Sequence, residues 1–305
     1  MCSEAAELVP PRWWHVVLRG PAVAVEAMAG LLYQAGAQGV EYEDGHPAVA
    51  PYTDEPVSPG APFAAAYFPA DEAFSSRLQL IREVAAREGW RVETESVASQ
   101  DWVDAVRRAF HPLPIAQGYG VVPAWYDRSP FSPSRTIWID PGLAFGTGHH
   151  PTTMMCLLAL IREGVRTRRV LDLGSGSGIL ALLAARLGAR EVDAVEPDPM
   201  AVRALTANIA RNHLSDRIRV VAGELDALPP DRRYEVVTAN LMTELILRLW
   251  PQLAARLEGE ASYAILSGIG EERVGEVERA VEATGFRVLD YRLWQGWAAL
   301  VVRPR

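Results

Sequence analysis

Residues 169–185 read RVLDLGSGSGILALLAA. Val170, Leu171 and Leu173 surround a single aspartate, Asp172. Glycines then stand at 174, 176 and 178, and an apolar run with helical spacing follows. A buried strand running through a glycine turn into a helix opens a doubly wound α/β sheet, in which ligands meet bare backbone at the carboxyl edge. The dinucleotide fingerprint would need glycine at 179, where this chain has isoleucine. A lysine-bearing phosphate loop is also excluded, because all 30 basic residues are arginine. That arginine bias reads as a matter of composition.

Outward from this turn the pattern repeats. EVDAV (191–195), RIRVVA (217–222), YEVVTA (234–239) and YAILS (263–267) are short apolar strands separated by helical segments. FRVLDYRL (286–293) and WAALVVR (297–303) flank Gln295-Gly296, a hairpin turn. The expected fold is α/β: seven strands, mostly parallel, in a Rossmann-like sheet over residues 135–305 closed by an antiparallel hairpin.

Before it, strands at 13–20, 39–44, 63–69 and 91–97 alternate with helices at 22–35 and 71–88 in β-α-β-β-α-β order. This is the ferredoxin-like α+β pattern, assigned to residues 1–98. The proline-rich segment 45–62 reads as an exposed loop. Residues 99–134, with an amphipathic helix over 99–110, read as a connector.

The bulk numbers set limits. The chain has 305 residues and a formal net charge of −8, which disfavours direct nucleic-acid binding. Two cysteines build neither a disulfide framework nor a zinc site, and suggest a reducing cytoplasm. The acidic N-terminus predicts no signal peptide, and no apolar run predicts a membrane span. No metal-ligand spacing is recognised, so no metal is expected.

Glu196 closes the second strand, twenty-two residues beyond Gly174, where an acid can accept hydrogen bonds from both hydroxyls of a ribose. A glycine turn, a ribose acid and no phosphate device together suggest S-adenosylmethionine. Asn240 ends the fourth strand facing the same cleft. Its side chain can accept from an amine, or simply cap the following helix. Asn240-Leu241-Met242 departs from the Asn-Pro-Pro signature of methyltransferases acting on planar nitrogens.

One further loop, DPGLAFGTGHHPTT (140–153), is too glycine-rich for a helix interior. With VLDLGSGSGILALLAA (170–185), EPDPMAVRALTANIARN (196–212), Ala239-Asn240 followed by Leu241, LSGI (266–269), WQGWAALVV (294–302) and QDW (100–102), it makes the chain resemble the ribosomal protein L11 methyltransferase family, PrmA type. The resemblance covers nearly the whole chain. It implies a methyltransferase that moves methyl groups from S-adenosylmethionine to lysine ε-amines and the N-terminal α-amine of a large-subunit ribosomal protein. The ferredoxin-like domain is then the recognition module.

Carried over by residue, the resemblance places cofactor contacts at Thr153, Gly174, Glu196 and Asn240, and Gly176 joins them as part of the same turn. Asn240, with the Leu241 carbonyl, is the expected catalytic acceptor of the amine's hydrogens. Asp140, His149, His150 and Glu244 are the nearby candidates for a base. Gly146 and Gly148 are expected to let backbone approach the ligand in a flap that Pro151 ends by starting a helix. The family usually has aspartate at 196, cysteine or threonine at 175 and threonine at 149, where this chain has Glu196, Ser175 and His149.

Overall fold

The computed structural model describes residues 12–21, 24–43, 48–49, 56–57, 61–98, 110–140 and 146–305. The chain divides into two compact units, Met1–Ala109 and Phe110–Arg305.

The first unit contains β1 (Arg12–Arg19), α1 (Val25–Gln34), β2 (Gln38–Glu43), β3 (Ala48–Val49), β4 (Pro56–Val57), β5 (Phe63–Pro69), α2 (Phe74–Arg87) and β6 (Arg91–Ala98). Its main sheet has the order β2-β5-β1-β6 with every pair antiparallel. This is the ferredoxin-like arrangement expected from the element order. Val16, Leu18, Leu32, Phe68 and Ile81 fill its core. The segment 45–62, read as loop, includes the two-residue ladder of β3 and β4. The expected helix over 99–110 lies, but for Phe110, outside the described residues.

The second unit opens with a three-stranded sheet: β7 (Leu113–Pro114), β8 (Gly120–Pro123) and β9 (Thr136–Ile139). From Phe110 onward the expected connector is therefore part of a folded unit. Val121, Ile137 and Ile139 are buried in that unit's core. Prolines and glycines around GVVP disguise a strand that pairs antiparallel with the two-residue β7 and parallel with β9.

The large sheet runs β12-β11-β10-β13-β14-β16-β15. Its strands are β10 (Arg169–Leu173), β11 (Glu191–Glu196), β12 (Ile218–Ala222), β13 (Val236–Asn240), β14 (Tyr263–Gly270), β15 (Phe286–Trp294) and β16 (Trp297–Pro304). The first five are parallel, and β16 runs antiparallel between β14 and β15. Gln295 and Gly296, at φ 50° and 75°, make the two-residue turn that the sequence predicts.

Strand residues alternate between two cores, as a period of two requires. Val170, Val192 and Ile265 pack beneath α3 (Pro151–Glu163), α4 (Ile179–Arg186) and α5 (Pro199–Arg211). Leu171, Val195 and Ala264 pack beneath α6 (Thr243–Arg256) and α7 (Val274–Ala283). Strand order reverses between β10 and β13, so the carboxyl ends of these two strands form the switch-point crevice. No described helix is long and apolar enough to cross a membrane.

Asp193 in β11 is buried and accepts bonds from Arg219 (2.8 and 2.9 Å), Arg232 (3.0 Å) and the Tyr234 hydroxyl (2.7 Å). Asp193→Ala strands that buried hydroxyl and two guanidinium groups. The expected loss is about 2–3 kcal/mol in urea unfolding.

Candidate functional site

The turn after β10 holds Gly174, Gly176 and Gly178 at φ 69°, 53° and 84°, in the left-handed region. A Cβ at Gly174 would lie 2.4 Å from Leu241 Cδ2, and one at Gly178 would lie 2.4 Å from Leu205 Cδ1. Both positions favour glycine for conformation, and a side chain at either would also push aside the tip of a leucine. Gly174 and Ser175 donate their N–H groups to the Val195 carbonyl, at 2.9 and 3.1 Å, which locks the turn onto β11.

Glu196 sits where the spacing predicts. Its carboxylate accepts from the Gly176 N–H (2.8 Å) and the Asp198 N–H (3.0 Å), and so spans the turn and the start of α5. Each oxygen retains a further lone pair for a ligand hydroxyl.

Asp172 has a role that sequence reading missed. It is fully buried at the carboxyl end of β10; Oδ1 accepts from the Thr238 hydroxyl at 2.6 Å. Oδ2 is buried without a hydrogen-bond partner among the described residues. Burial, with the charge of Glu196 adding to it, pushes this carboxyl up to about 6. The sequence signal was available: a lone acid inside an apolar strand that runs into the glycine turn. Two carboxylates at one sheet edge suit a cationic ligand and repel a phosphate. S-adenosylmethionine, with its sulfonium and ammonium groups, fits this donor set.

Thr153 and Asn240 meet across the crevice. The Asn240 amide nitrogen donates to Thr153 Oγ1 at 3.3 Å. Thr153 is held in the first turn of α3, which Pro151 opens and His150 caps. The Thr152 N–H and hydroxyl lie 3.4 and 2.7 Å from His150 Nδ1. Asn240 does not cap α6. The cap residue is Met242, with no side-chain cap bond.

Beyond Asn240 the chain passes over Gly268, at φ 84°, where a Cβ would lie 2.2 Å from the Leu241 carbonyl oxygen. The Leu241 N–H donates to the Ser267 carbonyl at 2.9 Å. Leu241 is thus set between two glycines, Gly174 and Gly268, and its backbone aims Asn240 into the crevice.

The four candidate bases do not converge on Asn240 in any described hydrogen bond. His150 serves as a helix cap. Glu244 is exposed and pairs with Arg273. Asp140 is exposed and its N–H donates to Asn208. His149 packs edge-on against Phe110 at 4.8 Å. Gly146 and Gly148 take positive φ, but the space left by their absent side chains is bordered by Ser177, Leu113 and Ile179. A side chain at either position would therefore meet protein atoms. Residues 141–145, the centre of the expected flap, lie outside the described residues.

The family described as "Ribosomal protein L11 methyltransferase (PrmA)" matches residues 12–305. A ribosomal protein L11 methyltransferase of Pelotomaculum thermopropionicum is 35% identical over 95% of this chain and 98% of its own. One from Bacillus cereus (strain Q1) is 32% identical over 96% and 99%. A crystal structure of a ribosomal protein L11 methylase from Lactobacillus delbrueckii subsp. bulgaricus, 32% identical, superposes with a TM-score of 0.59 over 64% of this chain and 100% of that one.

The helix cap carries a pH prediction. Burial lowers His150 from 6.5 to about 4. The unfolded chain therefore binds a proton first, and stability present above pH 6.5 is lost as pH falls toward 4, by at most about 1.4 kcal/mol per unit. His150→Asn keeps a cap acceptor that does not titrate. Thermal melts of the wild type should fall more steeply than those of the variant between pH 6.5 and 4.5.

Proposed function

Because the chain belongs to the ribosomal protein L11 methyltransferase family, we propose that it methylates ribosomal protein L11 on lysine ε-amines and on the N-terminal α-amine. Family membership carries the target; the observation that supports an amine acceptor in the crevice is the Asn240–Thr153 bond. It engages the amide nitrogen and leaves Oδ1 as an acceptor beside the cofactor turn.

In this reading Glu196 holds the ribose hydroxyls, and the backbone at Gly174 and Gly176 borders the adenosine. Thr153 and Asn240 border the amino-acid end. S-adenosylmethionine supplies an activated methyl group on a sulfonium leaving group, so the protein's work is alignment. Asn240 Oδ1 and the Leu241 carbonyl accept the two hydrogens of a neutral amine and direct its lone pair. A free lysine, with a pKa near 10.4, is mostly protonated at neutral pH, so the amine must lose a proton before it reacts. No described side chain stands as a base at Asn240, and ionisation of the amine itself sets the pH dependence.

The first unit's four-stranded sheet is the module proposed to recognise the target protein. A net charge of −8 favours contact with a basic ribosomal protein over its RNA, and the two-cysteine composition accords with the cytoplasm. The enzyme has no lysine of its own, so methyl-lysine in a reaction mixture can come only from the target.

Radiolabel transfer from S-adenosylmethionine into purified L11, followed by mapping of the modified amines, tests the substrate. A labelled protein other than L11 in ribosomal extracts, with L11 unlabelled, would refute it. Asn240→Ala should lower turnover by about 100-fold while cofactor affinity falls less than about tenfold. Unchanged turnover removes Asn240 from the mechanism. Below pH 9, the rate at subsaturating lysine target should rise about tenfold per pH unit. A plateau near pH 7 would reveal a base.

A further inference from the structure

Asn208 and Asn212 lie one turn apart on α5 and its C-cap, both fully buried. Asparagine is a poor helix former, and two of them facing a core need a reason. The reason is β9. One edge of that strand pairs with β8; the other presents peptide groups to α5. Asn212 Oδ1 accepts from the Trp138 N–H (2.9 Å), and Nδ2 donates to the Trp138 carbonyl (2.6 Å). Its amide replaces the peptide of an absent neighbouring strand.

Asn208 makes a different connection. Its Oδ1 accepts from the Asp140 N–H at 2.9 Å, and its Nδ2 donates to the Ser177 carbonyl, inside the glycine turn, at 2.9 Å. Ser177 in turn donates its hydroxyl to the Gly146 carbonyl at 2.5 Å. One amide thus joins β9, the glycine turn and, through Ser177, the Gly146 backbone. Only an amide can both accept from Asp140 and donate to Ser177. A carboxylate lacks the donor and would face a carbonyl oxygen.

We propose that Asn208 is a positioning residue for the cofactor: it sets the glycine turn against Asp140 and Gly146, and cofactor affinity depends on it although it lies behind the turn. Asn212 bonds the strand and, through Nδ2, the Asn208 carbonyl of its own helix (2.8 Å), and makes no side-chain bond to the glycine turn. The inference rests on the reading that the Gly174–Gly178 turn and Glu196 hold S-adenosylmethionine.

The test measures S-adenosylmethionine affinity by calorimetry, melting temperature, and steady-state kinetics for Asn208→Ala, Asn212→Ala and Glu196→Ala in the full chain. Asn208→Ala should weaken binding about tenfold, with turnover at saturating cofactor within about threefold of wild type. Asn212→Ala should lower the melting temperature comparably and leave affinity within about twofold. Should Asn208→Ala fail to fold, Asn208→Asp, which retains the bond to Asp140, takes its place with the same expected loss of affinity. Equal affinity losses in the Asn208 and Asn212 variants would overturn the proposal, as would unchanged affinity in the Asn208 variant beside a loss in Glu196→Ala. In that last case the cofactor site stands and only the role of Asn208 falls. If Glu196→Ala also binds normally, the site reading fails and the inference with it. If neither Asn208 variant folds, Asn208 belongs to the fold and the proposal is wrong.

Discussion

The left-handed turn between β10 and α4 constrains everything around it. Three glycines occupy backbone conformations that side chains rarely adopt, and neighbouring groups fill two of the places where side chains would be. Leu241 reaches into the space beside Gly174, and Leu205 into the space beside Gly178. Leu241 sets the direction of Asn240, and Leu205 belongs to the helix that carries Asn208. The same turn therefore fixes both the acceptor proposed for the amine and the helix behind the cofactor. A methyl group added at either glycine would displace a neighbour that the chemistry needs.

Electrostatics at this edge follow from burial more than from the number of charges. Asp172 is kept out of water, which raises its carboxyl above the ordinary carboxylate range, with Thr238 satisfying one oxygen. Glu196 is bonded to two backbone N–H groups, which fix its orientation. Carboxylates in such different settings do different work. Glu196 is a fixed hydrogen-bond acceptor, whereas Asp172 gains most from a cationic ligand placed close by. A methyl donor carrying a positive sulfur fits a crevice of this sign, and a nucleotide phosphate does not.

Much of this was legible in the sequence for definite reasons. Apolar strands separated by helices foretold the sheet, and Gln295-Gly296 foretold its hairpin. Spacing alone placed Glu196. What stayed hidden depends on partners remote in sequence. Strand β8 fell within the expected connector, and β9, just beyond it, was not foreseen as a strand; one edge of β9 is satisfied by asparagine side chains some seventy residues away. Asn240 could equally have been a helix cap, and only the backbone at Met242 decides between the two. The positive φ of Gly146 and Gly148 was foreseeable from their identity. That Ser177 and Ile179 lie within reach of their missing side chains was not. Asn208 and Asn212 gave a weak signal, two poor helix formers one turn apart in an otherwise regular helix.

Because β16 lies between β14 and β15, the sheet cannot be assembled in the order in which its strands are synthesised. While the chain is being made, one edge of β14 and all of β15 wait for residues that follow them. The Gln295-Gly296 turn lets β15 and β16 pair locally as a hairpin, on a timescale of about microseconds, before docking on β14. That docking also brings the Ala298 carbonyl to the Ser267 hydroxyl and the Trp297 ring to His150. Both contacts support the first turn of α3, where Thr153 stands. Completion of the cofactor crevice is thereby tied to the last strand to arrive, and a nascent chain exposes an unpaired apolar edge until it does.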